Sequence, residues 1–120
     1  MLFYANISTI NSNLAPQWGD VSMNVEITIN NIGCQWQTFG HICIVYIAGE
    51  FKLPQAWTTY LLASNVPGTQ FGFKPIGILQ SQNDGKAYMI SADGKGNLHI
   101  ASQNMPTEGA WLRGVITYIC

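Results

Sequence analysis

The chain has 120 residues, 48% of them apolar and only 9% charged, with a formal net charge of −1. That length supports one hydrophobic core, the charge balance offers no basic footprint for nucleic acid, and no apolar run reaches the roughly 18 residues of a membrane-spanning helix. The sequence does not open with a basic, signal-like region, and membrane insertion is not expected. A charged fraction so far below the roughly 25% usual for soluble domains suits a surface partly buried against copies of itself.

In chain order, Leu2 to Ile10 mixes aromatic and β-branched residues and is expected as a first strand. Residues 11–20, with Pro16 and Gly19, are expected as a loop. Residues 1–20 then form an N-terminal strand and linker segment, and residues 21–120 a single β-domain. From Val21 to Asn30 the pattern alternates: Val21, Met23, Val25, Ile27 and Ile29 interleave with Ser22, Asn24, Glu26, Thr28 and Asn30. That period of two predicts a half-buried strand with all five apolar residues pointing inward.

The organising element is the hairpin Cys34 to Gly49. Phe39-Gly40 is expected at its turn, because glycine takes the positive φ of a tight hairpin. The run Ile42 to Ile47 is wholly Ile, Cys, Val and Tyr, which predicts a strand covered on both faces. Gly49 to Ala56 is expected as a connection, Trp57 to Ser64 as a strand and 65–74 as a Gly-rich, aromatic loop. Strands follow at Ile76 to Gln80, Ala87 to Ala92, Leu98 to Ser102 and Ala110 to Ile119, the first three separated by Asp84-Gly85 and Asp93-Gly94 turns. Eight or nine short strands with turn signals between them predict an all-β fold, an antiparallel sandwich or small barrel of jelly-roll type.

Cys34, Cys43 and Cys120 form no metal pattern and leave one thiol over however they pair. With Phe39-Gly40 at the turn, Cys43 faces Trp36 and a Cys34–Cys43 bridge needs a different turn, so three reduced thiols made in a cytoplasm are expected. His41 and His99 lie in separate segments with no second ligand at metal spacing, so neither a metal nor a cofactor is expected. Cys43 sits two residues from His41, but in the most apolar run of the chain, the wrong setting for a nucleophilic thiol. Nothing pairs two of the six carboxylates across a cleft as a glycosidase requires.

Several motifs, taken in order, carry a resemblance. They are Trp36 to Ile44 with its Phe-Gly turn, Trp57-Thr58-Thr59, Phe73-Lys74-Pro75 and Asp84-Gly85-Lys86 with Asp93-Gly94-Lys95. The closing strand Trp111-Leu112-Arg113-Gly114-Val115-Ile116-Thr117-Tyr118 completes the set. Over about residues 20 to 120 the chain resembles the C-terminal tip, or head, domains of phage tail-fibre and baseplate receptor-binding proteins. The resemblance implies a non-enzymatic antiparallel β-domain at the tail tip of a virion. It also implies that the domain trimerises, binds a host cell-surface saccharide and contacts other tail or baseplate proteins through its N-terminal segment. A structural trimer without a ligand of its own is the alternative, and a polysaccharide-degrading enzyme a third.

An indole offers a stacking face to a sugar ring, and few polar groups are needed beside it. Trp111 and the single arginine, Arg113, share one face of the last strand. If the strand bearing His99 pairs antiparallel with that last strand, the candidate site is His99, Asn104, Trp111 and Arg113, gathered beside the 103–109 connection. For Trp111 packing at a strand start or subunit contact is the favoured alternative, and for Arg113 an interface or surface pair stands level with ligand contact.

Overall fold

The computed structural model describes residues 15–103 and 107–120. The expected strand Leu2 to Ile10 lies outside the described residues. The described residues form ten strands: β1 (Gln17–Asp20), β2 (Ser22–Met23), β3 (Thr28–Asn31), β4 (Gln35–Phe39), β5 (Ile42–Leu53), β6 (Thr59–Ser64), β7 (Ile76–Ser81), β8 (Ala87–Ala92), β9 (Leu98–Ala101) and β10 (Thr107–Ile119). All pairings are antiparallel, in the order β1-β4-β5-β10-β7-β8-β9-β6-β2, with β3 continuing the β4 edge along β5. The fold class is therefore all-β, as the strand count and turn spacing predicted.

One residue, Val21, separates β1 from β2, yet these strands stand at opposite ends of the strand order. The sheet must curl until its two edges meet at that residue, and it becomes a nearly closed barrel. The seam is held by the Val21 amide donating to the Cys34 carbonyl (3.4 Å) and by Asn65 Nδ2 donating to the Asp20 carbonyl (3.4 Å).

Curling separates an inner from an outer face, and alternation assigns the residues. Cys43, Val45 and Ile47 of β5 point inward with Leu112, Ile116 and Tyr118 of β10, Leu79 of β7, Tyr88 and Ile90 of β8, and Leu98 and Ile100 of β9. Among the described residues the run Ile42 to Ile47 is thus covered on one face only, because its two flanking strands supply hydrogen bonds and not a second layer. Val45 is fully buried while its neighbour Ile44 is 43% exposed. At Gly114 the β7 backbone runs so close that a Cβ would overlap the Ile78 carbonyl and press on Leu79 Cδ2 at 3.1 Å. Only glycine fits there without moving β7 away from β10.

Several local expectations are corrected. Val21 to Asn30 is not one strand. Asn24 Oδ1 accepts from the Glu26 amide at 3.1 Å, and the Asn24 carbonyl accepts from the Ile27 and Thr28 amides at 3.2 and 3.0 Å. This side-chain-driven turn moves the chain from β6 to β5, so Val21 and Ile27 are buried but Val25 and Ile29 are exposed. In the β4–β5 hairpin Phe39 pairs with Ile42, so Gly40-His41 is the turn and Cys43 faces Thr38. Gly40 has φ 61° and His41 is not left-handed, the pattern of a turn with glycine at its first central position. Residues 17–20, within the expected loop, form β1; β5 runs on through Gly49 to Leu53; and Trp57 precedes β6 with φ 53°. The two Asp-Gly connections each span five residues, 82–86 and 93–97, and are closed by Asp84 Oδ1 on the Lys86 amide (3.0 Å) and Asp93 Oδ1 on the Lys95 amide (2.9 Å).

Candidate functional site

Register lays the outer face out in rows. One row runs Asp20, Gln35, Tyr46, Val115, Ile78, Met89 across six strands. Towards the β4–β5 turn the next row is Trp18, Gln37, Ile44, Thr117 and the last is Phe39, Ile42, Ile119, with Trp18, Ile44, Phe39, Ile42 and Ile119 all exposed. In the opposite direction the next row is Arg113, Gln80, Ala87. The outer face is therefore mainly apolar towards the β4–β5 turn, with Gln37 and Thr117 interspersed, and more polar beyond Tyr46.

The polar end holds a cleft of about 380 Å³ lined by Tyr46, Gln80, Ser81, Gln82, Arg113 and Gly114. Arg113 is exposed, and among the described residues its guanidinium has neither an ion pair nor a hydrogen-bond partner. Gln82 is fixed at the cleft rim by its amide, which donates to the Trp111 carbonyl at 2.9 Å, while the Trp111 amide donates to Asn83 Oδ1 at 3.2 Å. A planar five-donor cation, two side-chain amides and a phenol ring make a surface suited to hydroxyls, carboxylates or phosphates with an apolar ring face between them.

Of the residues expected from the sequence, Trp111 and Arg113 do share the outer face of β10, two residues apart. Asn104 lies outside the described residues. His99 does not join them: β10 pairs with β5 and β7, while β9 pairs with β6 and β8. The assumed β9–β10 pairing fails because β7 and β8 form a hairpin that inserts between those strands. His99 instead turns to Asp93, with Nε2 and Oδ2 3.0 Å apart. Partial desolvation pushes the Asp93 carboxyl up, but His99 and the Asn97 and Lys95 amides outweigh it and bring it down to about 2.

Sequence reasoning missed Tyr46, Gln80 and Gln82. Within the unbroken run Ile42 to Ile47 no polar neighbour marks which face Tyr46 takes, and Gln80 and Gln82 read as strand-end polarity before a turn.

The thiols are free and Cys34 and Cys43 are buried. Burial pushes Cys43 up to about 11, partly offset by Tyr118, with Cys120 nearby adding to the rise. Among the described residues no three His, Cys, Asp or Glu side chains gather as a metal site, and no helix is long and apolar enough to cross a membrane.

No protein-family model and no curated protein matches this sequence. Among solved structures the chain is similar to the head domain of phage bIL170, from work on the receptor-binding domains of lactococcal phages. That likeness has a TM-score of 0.58 at 13% identity and covers 88% of this chain and 98% of the other. The chain has the fold of a phage receptor-binding head domain.

Proposed function

We propose that this chain is a host-recognition head domain at the tail tip of a phage, and that its ligand is a host cell-surface saccharide. The observation that carries the reading is the cleft around Arg113, where a guanidinium without a partner among the described residues, two amides and an aromatic ring converge on the outer face of a head-domain fold. Trp111 extends the same face and offers a second ring to an incoming sugar. His99, held by Asp93, lies outside this cleft and supports the neighbouring turn.

The same reading makes the protein a homotrimer. Ile42, Ile44, Ile78, Val115 and Ile119 are exposed on neighbouring strands of the outer face, around Thr117, and burial against further copies would take them out of water. Three copies burying this patch would place three clefts on one particle tip, and weak single-site binding would then sum to firm attachment. The N-terminal segment is the proposed joint to other tail or baseplate proteins. A purely structural trimer uses the same apolar patch but has no need of an unpaired arginine in a cleft.

Binding of the oligomer to an array of bacterial surface glycans, wild type against Arg113→Ala, tests the reading. Glycan binding that drops on the substitution supports it. No binding to any glycan by a well-folded wild-type oligomer refutes it in favour of the structural trimer.

A further inference from the structure

Tyr46 borders a second cleft on its other side. This one is about 460 Å³ and is lined by Asp20, Asn31, Ile32, Gly33, Cys34, Gln35 and Tyr46. Its origin is the break between β3 and β4. The Ile32 and Gly33 amides both donate to the Ala48 carbonyl (3.1 and 3.2 Å), and Asn31 Oδ1 accepts from the Gly33 amide (3.2 Å). The edge therefore steps inward at Gly33, where nothing but Tyr46 Cε1, at 3.7 Å, would meet a Cβ. The phenol ring is thus walled by backbone on one side and by Arg113 and Gln80 on the other. Asp20 reaches this cleft from β1, paired opposite Gln35, which is itself opposite Tyr46. Among the described residues its carboxylate has no ion pair and no hydrogen-bond partner, and neither does the Asn31 amide nitrogen.

We propose that the two clefts are one groove crossing Tyr46, and that it takes an oligosaccharide bearing charges of both signs: an anionic group, such as a phosphate, at Arg113 and a primary ammonium at Asp20. This rests on the reading of the Arg113 cleft as a saccharide site and extends it to a substrate class. The register sets the span. Asp20 stands two strands from Tyr46 on one side and Arg113 one strand away on the other, so the charged ends lie about 15 Å apart at strand spacing. That exceeds a single sugar ring and demands an extended ligand lying across the strands. The charge arrangement follows from the two residues: a guanidinium fork suits a phosphate or carboxylate, and a lone carboxylate beside a free amide and a ring face suits an ammonium. Neutral polymers fill the groove but leave both charges unpaired. Polymers with only one sign satisfy one end.

The test uses the oligomer as it forms and three synthetic probes: a disaccharide phosphate with a free amine on the distal ring, its N-acetylated form, and its dephosphorylated form. Calorimetry on wild type should show N-acetylation and dephosphorylation each weakening binding roughly tenfold, and more salt weakening the doubly charged probe most. In Asp20→Asn the amine and N-acetyl probes should bind alike, while removal of the phosphate still costs affinity. In Arg113→Gln the pattern should reverse. Equal binding of amine and N-acetyl probes by wild type, or unchanged discrimination in Asp20→Asn, overturns the groove while leaving the Arg113 cleft standing. Loss of phosphate discrimination already in wild type, or its persistence in Arg113→Gln, removes the Arg113 site and the groove together.

Discussion

The strands β5, β7 and β10 present apolar side chains on both of their faces, and the two faces meet different fates. Inside the barrel Val45, Ile47, Leu79 and Ile116 are buried against the facing strands. Outside, Ile44, Ile78, Val115 and Ile119 carry the same chemistry and face open space. The inner face is thus committed to folding by the chain itself, whereas the described residues leave the outer face uncovered. Along the outer face a second contrast follows within two residues of each strand: Val115 to Arg113, Ile78 to Gln80, Ile44 to Tyr46. On the proposed reading, an association surface and a ligand surface share one sheet and adjoin at Tyr46.

The largest effect expected from this comparison is on stability. Ile116→Ala should cost about 2–5 kcal/mol in denaturant unfolding, because a fully buried branched side chain leaves a cavity. Val115→Ala, one residue away on the outer face, should change a dilute protomer by no more than about 0.5 kcal/mol. Similar costs for both would break the inner–outer distinction. Next in size is assembly. Ile44→Asp, at an exposed position, should leave a folded protomer that sediments as a monomer at micromolar concentration where wild type is a trimer; a clean wild-type monomer would remove the association surface altogether.

The polar end is probed by Arg113→Ala, which should lower saccharide affinity about ten- to a hundredfold with the trimer and its stability intact. A smaller effect belongs to the Asp93–His99 turn, which lies outside the cleft. With the Asp93 carboxyl brought to about 2 from an ordinary 3.8, its stabilising contribution is complete above pH 4 and fades as pH falls through 2. Acid unfolding of Asp93→Asn should lack that part of the pH dependence, while glycan binding at neutral pH stays at the wild-type level. The smallest difference is chemical: Cys43, with its thiol held near 11 by burial, should resist alkylation at pH 8 until the protein unfolds, and Cys120→Ser should fold normally.

The all-β class was legible because turn residues punctuate the chain at strand-length intervals. β7, β8 and β9 came out within a residue of their ends, since each is bounded by Gly, Pro or Asp. What misled was pattern without context. The alternation from Val21 to Asn30 satisfies a strand, but Asn24 is a side chain able to close its own turn, and it breaks the run so that the chain can cross the barrel seam. Strand order was not legible. Nothing local says that the β7–β8 hairpin stands between β9 and β10, and with that order His99 leaves the site. Trp111 and Arg113 were found because alternation along one strand is local; Tyr46, Gln80 and Gln82 were not, because their meeting depends on register between strands far apart in sequence.

Whether a ligand sits beside Tyr46, as proposed, is decided by a crystal of the protein soaked with host surface saccharide. A sugar ring should lie against Tyr46 with its polar groups on Arg113 and Gln80. Saccharide bound instead around the exposed Trp57 or the 65–74 loop, with the Tyr46 clefts empty, would contradict it.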